Sequence, residues 1–167
     1  MADGGARGPI DCGRPEPGPD ESRVGALGLD AFELAALVIM RRFFASFADP
    51  ASQGWLRAAQ TAETCFGGDD PGARFLDLLR VVQAMRMARA SPFRFASPDC
   101  ARCAAILTAT ERHLMLAMQA ARRGRRGAAE AQALMLCEGG DSAALMAALG
   151  ALPPALRSSA VGNGRPH

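Results

Sequence analysis

Lysine and tyrosine are absent from this chain of 167 residues, tryptophan occurs once, and aromatic residues make up only 5% of it. That scarcity excludes a core built on stacked rings. With an apolar fraction of 49%, the core must come from Ala, Leu, Met and a few Phe. Small or unbranched side chains of this kind favour helices over strands. The absence of Lys beside abundant Ala and Gly follows from GC-rich codon usage, so Arg in place of Lys carries no functional meaning. A formal net charge of +2 is too small for a bulk nucleic-acid binder or a polybasic membrane protein.

Long apolar runs are lacking too. The strongest, Leu34 to Met40, stops at Arg41-Arg42, well short of the roughly 20 residues a membrane span needs. The opening Met1-Ala2-Asp3-Gly4-Gly5 has no apolar run behind a basic start, so no secretory leader is expected. Five scattered cysteines, an odd number, then predict a cytoplasmic protein with reduced thiols. No HExxH, Ser-His-Asp set, paired carboxylates or phosphate-cradling Gly loop appears, and the expectation is therefore a protein that is not an enzyme.

What is present reads as an all-α, single-domain bundle of about six helices. Residues 1–28, rich in Gly and Pro, are expected to form a disordered arm, 29–152 the helical domain and 153–167 a flexible tail. Asp30-x-x-Glu33 is a capping box opening a helix to Phe47. Its stripe of Phe32, Ala36, Ile39, Phe43 and Phe47 is widened by Leu34, Leu37, Val38, Met40 and Phe44, which predicts burial on most sides. Asp49-Pro50 predicts a second helix to Phe66, with Trp55, Leu56, Ala59, Ala62 and Phe66 inward and a left-handed stop at Gly67-Gly68. Asp70-Pro71 starts a third, to Ala88, with Phe75, Leu78, Leu79, Val82 and Met85 on one face. Pro92 and Pro98 make 91–99 a loop, pinned to the core by Phe93 and Phe95. Thr108-x-x-Glu111 opens a fourth helix that ends at the turn Arg122-Arg123-Gly124-Arg125-Arg126-Gly127. A fifth spans about Ala128 to Cys137, and a sixth ends near Leu152. Cys65-Phe66-Gly67-Gly68-Asp69 and Cys137-Glu138-Gly139-Gly140-Asp141 echo one another, which a helix stop followed by a helix start explains without duplication.

Three features could carry function. Cys100-Ala101-Arg102-Cys103 is the only close cysteine pair. C-x-x-C lets two thiolates reach one tetrahedral ion. With Cys137 and His113 as further ligands, zinc would be the ion held. The same atoms would serve a thiol-based sensor, because a cysteine near a helix start is readily ionised. Arg122, Arg123, Arg125 and Arg126 could clamp phosphates of a nucleic acid or another anion, or simply complement a helix C-terminus. Leu107-Thr108-x-x-Glu111-Arg112-x-Leu114 resembles the first helix of LuxR-type regulators. However, Ala128 to Leu136 is mostly Ala, Leu and Met and lacks base-reading side chains. Finally, Met85, Met87, Met115, Met118, Met135 and Met146 lie on Ala-rich helices whose faces suit association with a protein partner or a second copy of the chain. The leading expectation is a non-enzymatic interaction or regulatory module.

From Asp30 to Leu152 the pattern is similar to a group of short, uncharacterised helical proteins of GC-rich proteobacterial genomes. They share an N-terminal apolar helix with Arg pairs, a central Pro-flanked Cys motif and a helical hairpin behind it. The likeness rests on Cys100, Cys103, Thr108 and Glu111. It implies no activity, and no site residue carries over from it.

Overall fold

The computed structural model describes residues 16–155. The expectations for 1–15 and 156–167 fall outside them. The described chain is a mostly helical single body with seven α-helices, where the sequence predicted about six.

The first, α1, covers Ala31–Ala48. Its capping box is formed as expected: Glu33 N–H donates to Asp30 Oδ1 at 2.8 Å and Asp30 N–H to Glu33 Oε2 at 2.9 Å. Two of the four backbone donors orphaned at a helix start are thereby satisfied. Ala36, Ile39, Met40 and Phe43 are buried, but Leu34, Val38 and Phe47 are exposed. The helix thus keeps a solvent-facing edge that its composition did not predict.

The second helix departs from expectation at its start and on its faces. Asp49-Pro50 caps only a 3-10 turn, Pro50–Ser52, and α2 runs from Gly54 to Phe66. Gln53 between them adopts a left-handed φ of 49°. The reason is close contact with α1: a Cβ on Gly54 would sit 2.3 Å from the Arg42 carbonyl oxygen. Only a residue without a side chain can occupy that point. The buried face of α2 is Gly54, Ala58, Ala62 and Phe66, while Trp55 is 53% exposed and Leu56 also faces out. An inward indole would hold the two helices apart, so the small residues win the interface. The left-handed stop expected at Gly67-Gly68 is also not there, since Gly67 has φ −49°. Asp70 instead takes the left-handed conformation, at φ 40°, and accepts the Ala73 N–H.

The third helix, α3, spans Pro71–Ala88 and buries Leu78, Val81, Val82 and Met85. The following loop is pinned as expected, with the rings of Phe93 and Phe95 4.2 and 5.7 Å from that of Phe44. A short helix α4, Ala101–Ala104, comes next.

Two strands of two residues each join the helices without altering the all-α class. β1, Ser22–Arg23, pairs antiparallel with β2, Ile106–Leu107. A 3-10 turn at Val24–Leu27 follows β1. Val24, Leu27 and Leu29 pack on the core, and Gln119 donates to the carbonyls of Leu27 and Gly28. The arm expected to be disordered through residue 28 is therefore structured from Ser22 onward. Tertiary contacts hold it, since nothing in its composition would.

The last three helices are α5, Ala109–Arg122, α6, Arg126–Leu136, and α7, Ala143–Gly150. α5 and α6 form a hairpin, α1 touches α2, α3 and α5, and α3 packs on α7. The core lies between these helices, with Met40, Met85, Met115 and Met118 fully buried in it and Met87 and Met135 exposed. At the tail, Pro153 and Ala155 are tied to Arg122 through its side chain and its carbonyl respectively. No helix among the described residues is long and apolar enough to cross a membrane.

Candidate functional site

Glu111 is the third residue of α5 and closes a capping box with Thr108. Local sequence dictates that much. Its carboxylate also accepts two bonds from Arg41 of α1, at 2.7 Å to Nε and 3.0 Å to Nη2, and a third from Ala96 N–H at 3.2 Å. The remaining Arg41 donors reach the carbonyls of Ala104 at 2.8 Å and Ile106 at 2.6 Å. Both charged side chains are buried, 2% and 1% exposed. Charges this deep survive only when paired and fully hydrogen-bonded. Here the pairing ties the chain on the C-terminal side of the cysteine pair to two helices.

The N-terminal side of the cysteine pair is also tied. Asp99 Oδ1 accepts from Arg42 at 2.5 Å and from Arg57 at 3.1 Å. Between these anchors Cys100 is buried and its Sγ accepts the Cys103 N–H at 3.4 Å, while Cys103 is half-buried. Cys65, Cys100, Cys103 and Cys137 all carry thiols rather than disulfides.

The four candidate metal ligands are not gathered. Among the described residues no three His, Cys, Asp or Glu side chains come together where they could hold a metal ion. His113 Nδ1 meets Gln132 of α6 at 2.8 Å. Cys137 caps the far end of α6, with its N–H on the Ala133 carbonyl, beside Arg89, which bonds the Leu136 carbonyl. Burial pushes the Cys137 thiol up from its ordinary value, which opposes the thiolate a metal would need.

The arginine turn is split in two. Arg122 is buried and donates to Asp30 at 2.7 Å and Glu33 at 2.9 Å, with its guanidinium 4.3 Å from the centre of the Phe32 ring. Arg123 reaches Glu33 as well, at 3.0 Å. Arg125 and Arg126 are exposed, and Arg126 meets Glu130 at 2.7 Å. A four-arginine clamp facing solvent is therefore not formed, because Arg122 and Arg123 neutralise a buried carboxylate.

A concavity lies where the sequence predicts only helix faces. An open groove of about 800 Å³ runs between α6 and α7, lined mainly by Ala131, Leu134, Ala143, Met146, Ala147 and Gly150. Arg126, Glu130 and Asp141 stand along it.

Several structural residues escaped the sequence reading: Arg41 as the partner of Glu111, Arg122 as the partner of Glu33, and Gly54 at the helix contact. One signal for the first two was present. A capping-box glutamate followed by an Arg-Arg pair occurs twice, as Glu33 with Arg41-Arg42 and as Glu111 with Arg122-Arg123. Compared with known protein families, with curated proteins and with solved structures, the chain shows no match.

Proposed function

We propose that the protein is a non-enzymatic helical interaction module whose α6–α7 groove receives one amphipathic helix of a protein partner. The observation that carries this reading is the groove's lining of small residues, Ala131, Ala143, Ala147 and Gly150, beside Leu134 and Met146. Small side chains let a helix backbone approach closely. Met146 adapts to whatever apolar side chain arrives. A helix presenting aliphatic residues at i, i+3, i+4 and i+7 matches such a trough. The charges of both signs at Arg126, Glu130 and Asp141 would set its direction and register.

The test compares affinity capture from native cells by the wild-type chain and by Ala147→Trp, which fills the groove from an exposed position. A peptide from the captured partner is then titrated by calorimetry, with the Met146 methyl followed by NMR. Binding lost in Ala147→Trp, with a shifted Met146 methyl in the wild type, is the expected result. Equal binding by both proteins, or shifts confined to other methyls, would overturn the reading.

A further inference from the structure

A second site lies between α1 and α2, where two arginines hold the residue that precedes the cysteine pair. An open cleft of about 460 Å³ is lined by Arg42, Arg57, Gln60, Thr61, Thr64 and Cys65. Its two guanidinium groups share one oxygen of Asp99, and no carboxylate lies in the lining itself. Two cations facing one anion leave a surplus positive charge. Arg42 Nε is moreover buried with no hydrogen-bond partner, an unused donor beside the cleft. Asp99 is 49% exposed, so a competing anion can reach the arginines from solvent. Cys100 follows Asp99 directly, and consecutive Cα atoms are only about 3.8 Å apart. Asp99, which holds both arginines, and the dithiol therefore share one short segment, which Arg41 holds from its other end.

We propose that Cys100 and Cys103 form a dithiol–disulfide couple that exchanges with carboxylate-bearing low-molecular-weight disulfides, and that Arg42 and Arg57 take the carboxylate. Cys100 caps the turn that carries Cys103 and already brings its Sγ to 3.4 Å from the Cys103 N–H, so the two sulfurs need only side-chain and local backbone adjustment to reach disulfide geometry. The half-buried Cys103 gives up its proton, and its sulfur attacks one sulfur of the incoming disulfide. A mixed disulfide forms and the first thiolate leaves, taking up that proton. Cys100 Sγ, already oriented by the Cys103 N–H, then attacks Cys103 Sγ. The Cys100–Cys103 bond forms, and the second small thiol departs with the Cys100 proton. Two protein thiols and one small disulfide thus become one protein disulfide and two small thiols.

The test uses the full chain with Cys12→Ser and Cys65→Ser, oxidised by glutathione disulfide or by the neutral bis(2-hydroxyethyl) disulfide. Disulfide formation is timed by mass spectrometry and each rate is divided by that of a model thiol. The Cys100–Cys103 disulfide should form with both reagents, about tenfold faster with the anionic one, the effect of one good charge-assisted contact. Arg57→Gln, at an exposed position, and high salt should each remove that preference. Asp99→Asn should increase it by freeing both arginines. Equal corrected rates, or a preference that survives Arg57→Gln, would sink the carboxylate subsite while leaving the couple standing. Failure of both reagents to join Cys100 to Cys103 would sink the couple itself.

Discussion

Arg41 of α1 and Glu111 of α5, 70 residues apart, meet in a two-pronged buried pair at 2.7 and 3.0 Å. The relationship is reciprocal. Glu111 occupies the third position of α5 as Glu33 does of α1, and Glu33 in turn receives Arg122 of α5. Each helix therefore supplies a capping-box carboxylate to an arginine of the other. A helix start already concentrates positive partial charge on its carboxylate; the incoming guanidinium completes the coordination of oxygens that water cannot reach.

Removing one member of either pair should cost far more than removing both. Glu111→Ala leaves Arg41 buried without its counter-charge, and about 3–5 kcal/mol of stability should be lost. The double variant Arg41→Met with Glu111→Leu should recover much of that loss. Arg122→Ala should behave like the single variant, whereas Arg125→Ala, at an exposed position, should change stability by less than about 0.5 kcal/mol. Urea unfolding of the four proteins checks this. Similar midpoints for Arg122→Ala and Arg125→Ala would contradict the inward role of Arg122.

Gly54 is where α2 meets the backbone of α1. A methyl group there would lie 2.3 Å from the Arg42 oxygen, so Gly54→Ala should force the helices apart and cost about 1–3 kcal/mol. Gly68 offers the control, since nothing lies within 4 Å of its added Cβ. Gly68→Ala should be neutral or gain up to about 1 kcal/mol through the unfolded state. Thermal denaturation of the two variants side by side decides the matter.

Acid should loosen the junction between α3 and α6. Hydrogen bonds from Ser91 hold the Glu138 carboxyl below its ordinary value, with Ala90 and Arg89 acting in the same direction. A carboxyl lowered by folding contributes stability above its unfolded value of 4.5. That contribution is lost as the pH falls through the lower folded value. The stability difference between wild type and Glu138→Gln, measured by urea unfolding across a pH series, should therefore be largest near neutrality and shrink in acid. A difference that grows as the pH falls would contradict the assignment.

The elements legible in the sequence were those set within a few residues. Asp30, Asp70 and Thr108 each announce a helix because the cap and the amide it binds lie in the same turn. Phe93 and Phe95 could be read as loop anchors because an apolar ring between prolines has nowhere else to go. The faces of α2 were misread because Trp55 looks like core by hydrophobicity alone. Its exposure follows from how closely Gly54, Ala58 and Ala62 let α1 approach. The strand pair at Ser22–Arg23 and Ile106–Leu107 was too short to leave a periodic signal at all. In the candidate sites, the cysteine pair was visible as a motif. That Cys137 and His113 stand away from it, and that Arg42 and Arg57 stand beside it, was not.

What the chain decides by itself is its helical character and where most helices begin, because Ala, Leu and Met favour that backbone and the caps act locally. Only the tertiary structure decided which charges are spent inside. Arg41 and Arg122 look like any other surface arginines in one dimension. Their burial depends on a carboxylate brought up from about half a chain away, and no local pattern carries the information that two helix starts will each meet an arginine of the other.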